Sequence, residues 1–204
     1  FTPRFAPALV DPLPGGFFDH SGPADSDALA DVDADDPDPE AVLRALADAG
    51  VVAADGDRLG VTQAFETAWR ERMADLAAAP DDRLATVARD TNPAVESARV
   101  ERTGTEAFLV VTGVDGSVAW LRRPVAVAEV AAVAALSDTD LPPALRAVAA
   151  DAVCAFLDTC PVCGDDLVEG RLDDCCGHSL GEPGSDPPHG VACATCGVAF
   201  HRFE

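Results

Sequence analysis

The chain has 204 residues, 36 of them acidic and 14 basic, giving a net charge of −22 and a pI near 4.2. A hydrophobic fraction of 48% is too high for a wholly disordered acidic chain, so a packed core is expected. The same charge excludes nucleic-acid binding that leans on attraction to phosphates.

Residues 1–37 read as an acidic, Pro/Gly-rich arm ending in the run DVDADDPDPE. Phe1, Phe5, Phe17 and Phe18 are too apolar for full solvation, so part of the arm is expected to lie on the domain or to dock elsewhere, with plain disorder as the equal alternative. A first helix is predicted over 39–49, with Asp38 as cap, Pro39 at the first position and a stripe of Val42, Leu43, Leu46 and Ala49. VVAADGDRLGVT (51–62) predicts a hairpin turning at Asp55-Gly56. A second helix over 63–79 carries Phe65, Trp69, Met73 and Leu76 on one seam and stops at Pro80, and a short helix over 82–90 packs Leu84 and Val87.

From 98 to 122 the period changes to that of strands, and ARVERT, AFLVVTG and SVAWL predict a small antiparallel meander. Helices return at 125–136 and 143–157, the latter with Leu145, Val148, Ala152 and Phe156 on one face. Mixed helices and hairpins without βαβ alternation give an α+β class, with a domain over 38–157 and a C-terminal module over 158–204. The most apolar stretch, VAVAEVAAVAAL (125–136), is broken by Glu129 and too short to cross a bilayer, and no signal peptide is visible. A cytoplasmic protein without membrane contact is therefore expected.

Two matching hooks close the chain: Cys160-Pro-Val-Cys163-Gly and Cys193-Ala-Thr-Cys196-Gly, separated by 29 residues. Two thiolates two residues apart converge on one ion when the backbone curls around it, and the following glycine lets the chain leave that turn with φ > 0. In a reducing compartment seven cysteines point to metal rather than to disulfides. The arrangement resembles the zinc-ribbon family over residues 158–204. That resemblance implies Cys160, Cys163, Cys193 and Cys196 as ligands of one structural Zn2+ per chain, and VAFHRFE (198–204) as the last ribbon strand. Iron held as in rubredoxin, or a redox dithiol, are the alternatives.

DDCCGHSL (173–180) adds Cys175, Cys176 and His178 between the hooks, with His189 and His201 beyond. These allow a second metal site or a replacement ligand, or else are loop decoration without a partner pair at ligand spacing. Cys176 with His178 is the single pair from which nucleophilic chemistry could be drawn, and the chain is otherwise read as non-enzymatic. No phosphate-binding glycine loop, Ser-His-Asp order or His-Glu-x-x-His helix occurs. Cys154 reads as a buried small apolar residue.

Dispersed acids, a complete absence of lysine and an Ala/Val-rich core resemble proteins of extremely halophilic archaea, whose carboxylates keep the surface hydrated. Residues 38–79, helix then hairpin then helix, resemble a winged-helix segment, with Arg44 as the base-contacting donor of helix 39–49. Two functions follow. One is a zinc-binding regulatory or adaptor protein acting through contacts with another protein. The other is a nucleic-acid-binding regulator that uses the winged-helix-like segment, the ribbon or both.

Overall fold

Small side chains decide this architecture. Helix α4 (Arg123–Leu136) is built almost wholly from alanine and valine, and from Val125 to Leu136 every residue except Ala134 is buried. A helix apolar all round belongs at the centre of a core, and thin side chains let its neighbours approach closely on every side. Those neighbours are seen in a computed structural model that describes residues 26–32, 37–55, 58–171 and 189–203. Phe1, Phe5, Phe17, Phe18 and Gly56 lie outside the described residues.

Helix α1 (Pro39–Asp48) starts with proline at its first turn, and the carbonyl of Asp38 accepts from the amides of Ala41 and Val42. The Asp38 side chain makes no capping bond, contrary to expectation, and Pro39 occupies the first turn. Strands β1 (Val52–Asp55) and β2 (Arg58–Val61) pair antiparallel from Val52–Val61 to Asp55–Arg58. Helix α2 (Gln63–Ala78) is capped by the Thr62 hydroxyl and buries Phe65, Trp69, Met73 and Leu76, the seam read from the sequence. The Trp69 indole N–H donates to the Ala128 carbonyl at 2.9 Å, fixing α2 against the middle of α4. Helix α3 (Asp81–Thr91) buries Leu84, Ala85 and Ala88.

Strands β3 (Val95–Thr103), β4 (Glu106–Gly113) and β5 (Val118–Arg122) form the expected antiparallel meander in that order. Leu109, Val111, Ala119 and Leu121 turn inward onto α4. Ahead of α1, a turn of 3-10 helix at Leu29–Val32 buries both its apolar ends. Its approach runs along β5, where the Asp27 amide donates to the Trp120 carbonyl (3.0 Å) and the Trp120 amide to the Asp27 carboxylate (2.7 Å).

One helix departs from expectation. The span 143–157 is split into a short 3-10 turn (Pro143–Leu145) and α5 (Arg146–Cys154). Its core face is Ala147, Ala149, Ala150, Val153 and Cys154, whereas Leu145, Val148, Ala152 and Phe156 are half-buried. The smaller residues face α4 because α4 itself leaves room only for close approach; Val148, Ala152 and Phe156 instead line a groove shared with α1. A last antiparallel sheet, in the order β6 (Val168–Arg171), β7 (His189–Cys193) and β8 (Val198–Phe203), completes an α+β fold; β6 had no sequence signal. Among the described residues no helix is long and apolar enough to cross a membrane.

Glu129 sits in α4 with 1% exposure and accepts the Leu29 amide at 2.6 Å. Burial, and then the negative charge of Asp151, push its carboxyl well above the usual carboxylate range despite that hydrogen bond. A carboxyl raised in the folded state holds a proton that the unfolded chain has lost, so it adds stability below the ordinary carboxylate pKa and loses it as pH climbs through the raised value. Glu129→Gln, which keeps an acceptor for Leu29, is expected to raise stability at neutral pH. In urea unfolding at several pH values, the gain over the parent chain should shrink towards pH 4.

Candidate metal centre

The four hook cysteines converge. Their Sγ atoms all lie within 4.8 Å of one another, with Cys160–Cys196 at 3.8 Å and Cys163–Cys193 at 3.4 Å. Four sulfurs at ~2.3 Å from a central zinc would be about 3.8 Å apart, so the donor set fits a tetrahedral ion both in chemistry and in spacing. The described cysteines form no disulfide. Among the described residues this is the one group of three or more His, Cys, Asp or Glu side chains placed to hold a metal.

The local backbone explains the convergence. Gly164 and Gly197, each following a second hook cysteine, have φ of +78° and +61°, where a side chain would be strained. The Gly164 amide donates to the Cys160 carbonyl (3.0 Å), the Cys160 amide to the Asp165 carbonyl (2.8 Å), and Thr159 bridges to Asp166, closing the first hook into a tight curl. In the second hook the Cys196 amide donates to Cys193 Sγ at 3.4 Å. The Thr195 hydroxyl donates to the Asp165 carboxylate at 2.5 Å and latches one curl to the other. Sequence reading passed over Thr195 and Asp165; their signal was adjacency to a hook, which many loop residues share.

The C-terminal sheet is stitched to the helices. Val198 and Phe200 on β8 are each 3% exposed, and with Cys160 and Cys193 they belong to the same core as α4 and α5. Arg122 donates to the Gly197 carbonyl at 3.3 Å, Arg70 pairs with Asp158 at 2.8 Å, and His201 Nδ1 lies 3.4 Å from the Asp151 carboxylate. The centre is thus anchored on one side and open on the other: Cys160 and Cys193 are buried, Cys196 is intermediate and Cys163 is exposed.

Electrostatics divide the thiols along the same line. The Asp165 amide, aimed at Cys163 Sγ, holds that thiol below its ordinary value. Burial pushes Cys193 up to about 11 and drives Cys196 upward as well, with neighbouring sulfurs adding to the shift. Bare thiolates crowded this closely would repel one another; a divalent cation would reverse the balance and ionise all four.

The other sequence candidates fare differently. Cys175, Cys176 and His178 lie outside the described residues, and with them the second metal site and the nucleophile pair. His189 begins β7, His201 pairs with Asp151, and Cys154 is buried in α5, its thiol raised by burial. In the helix–hairpin–helix of 38–79, Arg44 is exposed on α1. Seven other arginines (Arg70, Arg72, Arg89, Arg99, Arg102, Arg122 and Arg123) are paired with carboxylates.

Two outcomes are expected. Binding of a divalent cation at neutral pH should release protons from the thiols, read with a pH indicator in weak buffer, and apparent affinity should fall as pH is lowered. A methyl group at Gly190 would lie 2.2 Å from the backbone oxygen of His201 on the neighbouring strand. Gly190→Ala should therefore force β8 away from β7, cost about 1–3 kcal/mol in denaturant unfolding and weaken metal retention in dialysis against a chelator.

No curated protein and no solved structure matches the chain. Residues 38–153, more than half of its length, match the central domain of a family of unknown function, DUF8054, a match that stops short of Cys160. The chain therefore belongs to the DUF8054 family, and the thiol cluster stands just outside the part of it that the family's central domain describes.

Proposed function

We propose that the chain is a zinc-binding regulatory or adaptor protein that acts through contacts with another protein, its one structural zinc held by Cys160, Cys163, Cys193 and Cys196. The observation that supports this reading is the convergent donor set: four thiols from two hooks would fill every tetrahedral position of an ion and leave none for a water or substrate, as in structural rather than catalytic zinc sites. Zinc is favoured over iron by its redox stability and by a surrounding that is poor in aromatics. A reducing cytoplasm keeps such thiols free, and the lysine-free acidic surface suits one rich in salt.

The ribbon offers a contact surface. Val162, between Cys160 and Cys163, and Val168 on β6 are 44% and 47% exposed, apolar positions on a module that the metal would make rigid. The paired arginines favour protein over nucleic acid as partner, since cations already satisfied by carboxylates gain little from phosphates.

In multimolar KCl, tagged chain should retain a partner protein from lysate after nuclease treatment. Val162→Asp with Val168→Asp should abolish retention while leaving the zinc content near one per chain. Saturable, sequence-dependent binding of genomic fragments in fluorescence anisotropy, with retention lost on nuclease treatment, would overturn this reading in favour of the nucleic-acid regulator.

A further inference from the structure

The meander has two faces, and the second carries two buried side chains, Phe108 and Val110, although no described helix covers it. The inner face packs on α4. Strand registers place Arg99, Val110 and Trp120 in one cross-strand row on the outer face, and Glu101, Phe108 and Arg122 in the next. The outer face of such a sheet is ordinarily polar and wet. Here Phe108 is 1% exposed and Val110 is fully buried, yet neither belongs to the core built on α4. Helices α3 and α4 and the 3-10 turn at Leu29–Val32 pack on the meander through residues of that core, on the opposite face, while the second hook reaches the outer face at Arg122 through the Gly197 carbonyl.

The flanking side chains frame this surface without closing it. Trp120 meets Phe108 edge-on at 6.1 Å, and the Arg122 guanidinium stands 5.9 Å from the centre of the Phe108 ring. Arg99 and Glu101 pair with each other at 2.7 Å, but their side chains are 55% and 39% exposed. Side chains this open shield Val110 little; Trp120 opposite it and Phe108 beside it cover it in part, and an apolar segment laid over the face would complete the cover.

We propose that this outer face is the docking surface for the chain's own segment preceding Ser26, with the Phe17–Phe18 pair as its anchor. The segment arrives at the right place: the Arg122 amide donates to the Ser26 hydroxyl at 2.9 Å and the Asp27 amide to the Trp120 carbonyl at 3.0 Å, so the chain runs antiparallel along β5 at the rim of this face. Its reach suffices. Seven residues lie between Phe18 and Ser26, eight steps that reach about 27 Å when extended, whereas two strand spacings cross the sheet in about 10 Å. Its chemistry suits as well, since an aromatic pair on Phe108 and Trp120 adds ring contacts to area burial. Of the other stretches outside the described residues, 172–188 has no Phe, Trp or Tyr and is rich in Asp, Gly and Pro, and 33–36, 56–57 and 204 are short and without an apolar aromatic.

The test uses the full chain with a photoreactive benzoylphenylalanine in place of Phe18, irradiated at low and high protein concentration. Intramolecular adducts to residues 99–122 at every concentration are expected. Adducts to α1, α5 or the ribbon, cross-linked dimers that grow with concentration and mark a second copy as occupant, or no adduct at all would overturn the proposal. Independently, F17S combined with F18S should raise acrylamide quenching of tryptophan fluorescence at least about twofold, as an apolar face opens to water. The rise should vanish when W120F is added, which assigns it to Trp120. Unchanged quenching in the double variant would contradict the docking.

Discussion

Four sulfurs from two hooks, with 29 residues between them, meet within 4.8 Å, and the C-terminal quarter of the chain is organised by that meeting. A module this short buries too little apolar surface to offset its chain entropy alone. A metal ion held by the four thiols would supply that deficit, since structural zinc binding contributes ~10 kcal/mol or more. Every local device serves the convergence: left-handed glycines at 164 and 197, amides aimed at sulfur, and the Thr195–Asp165 latch. The thiols raised by burial show the same constraint from the other side, because sulfurs so close need a cation in order to ionise together.

The hooks do not hang free of the rest. Phe200, Val198 and two of the four cysteines share a core with α4, whose alanines and valines give near access to α2, α3, α5, the meander and β8 at once. Close packing in a thin-walled core carries displacement from one element to the next, since few voids absorb it. A change at the thiol cluster would therefore be felt in the helical domain through β8 and α5. Glu129, the single carboxyl in the buried run of α4, ties the leading turn at Leu29 to that same helix, so both ends of the described chain are fastened to one element.

Much of this was legible beforehand where one period or one spacing ruled. The seam Phe65–Trp69–Met73–Leu76, the meander, and two Cys-x-x-Cys-Gly hooks each carry a pattern that few structures satisfy. Reading failed where the pattern was ambiguous. In 143–157 alanine fills both sides of the helix, so periodicity chose the larger residues as the core face, and the tight approach of α4 selected the smaller ones. Strand β6 (VEGR) has neither alternation nor β-branched density and exists because β7 pairs with it. Burial of Phe108 and Val110 on the outer face was equally hidden, since alternation along β4 is masked by a continuous apolar run, FLVV.

X-ray absorption at the zinc edge of the purified chain interrogates the central claim at the atoms themselves. Four sulfur scatterers at about 2.3 Å, with no nitrogen or oxygen in the first coordination sphere, are the expected result. A mixed sulfur and nitrogen sphere, or a sphere containing water, would contradict the closed thiolate quartet and the structural role inferred from it.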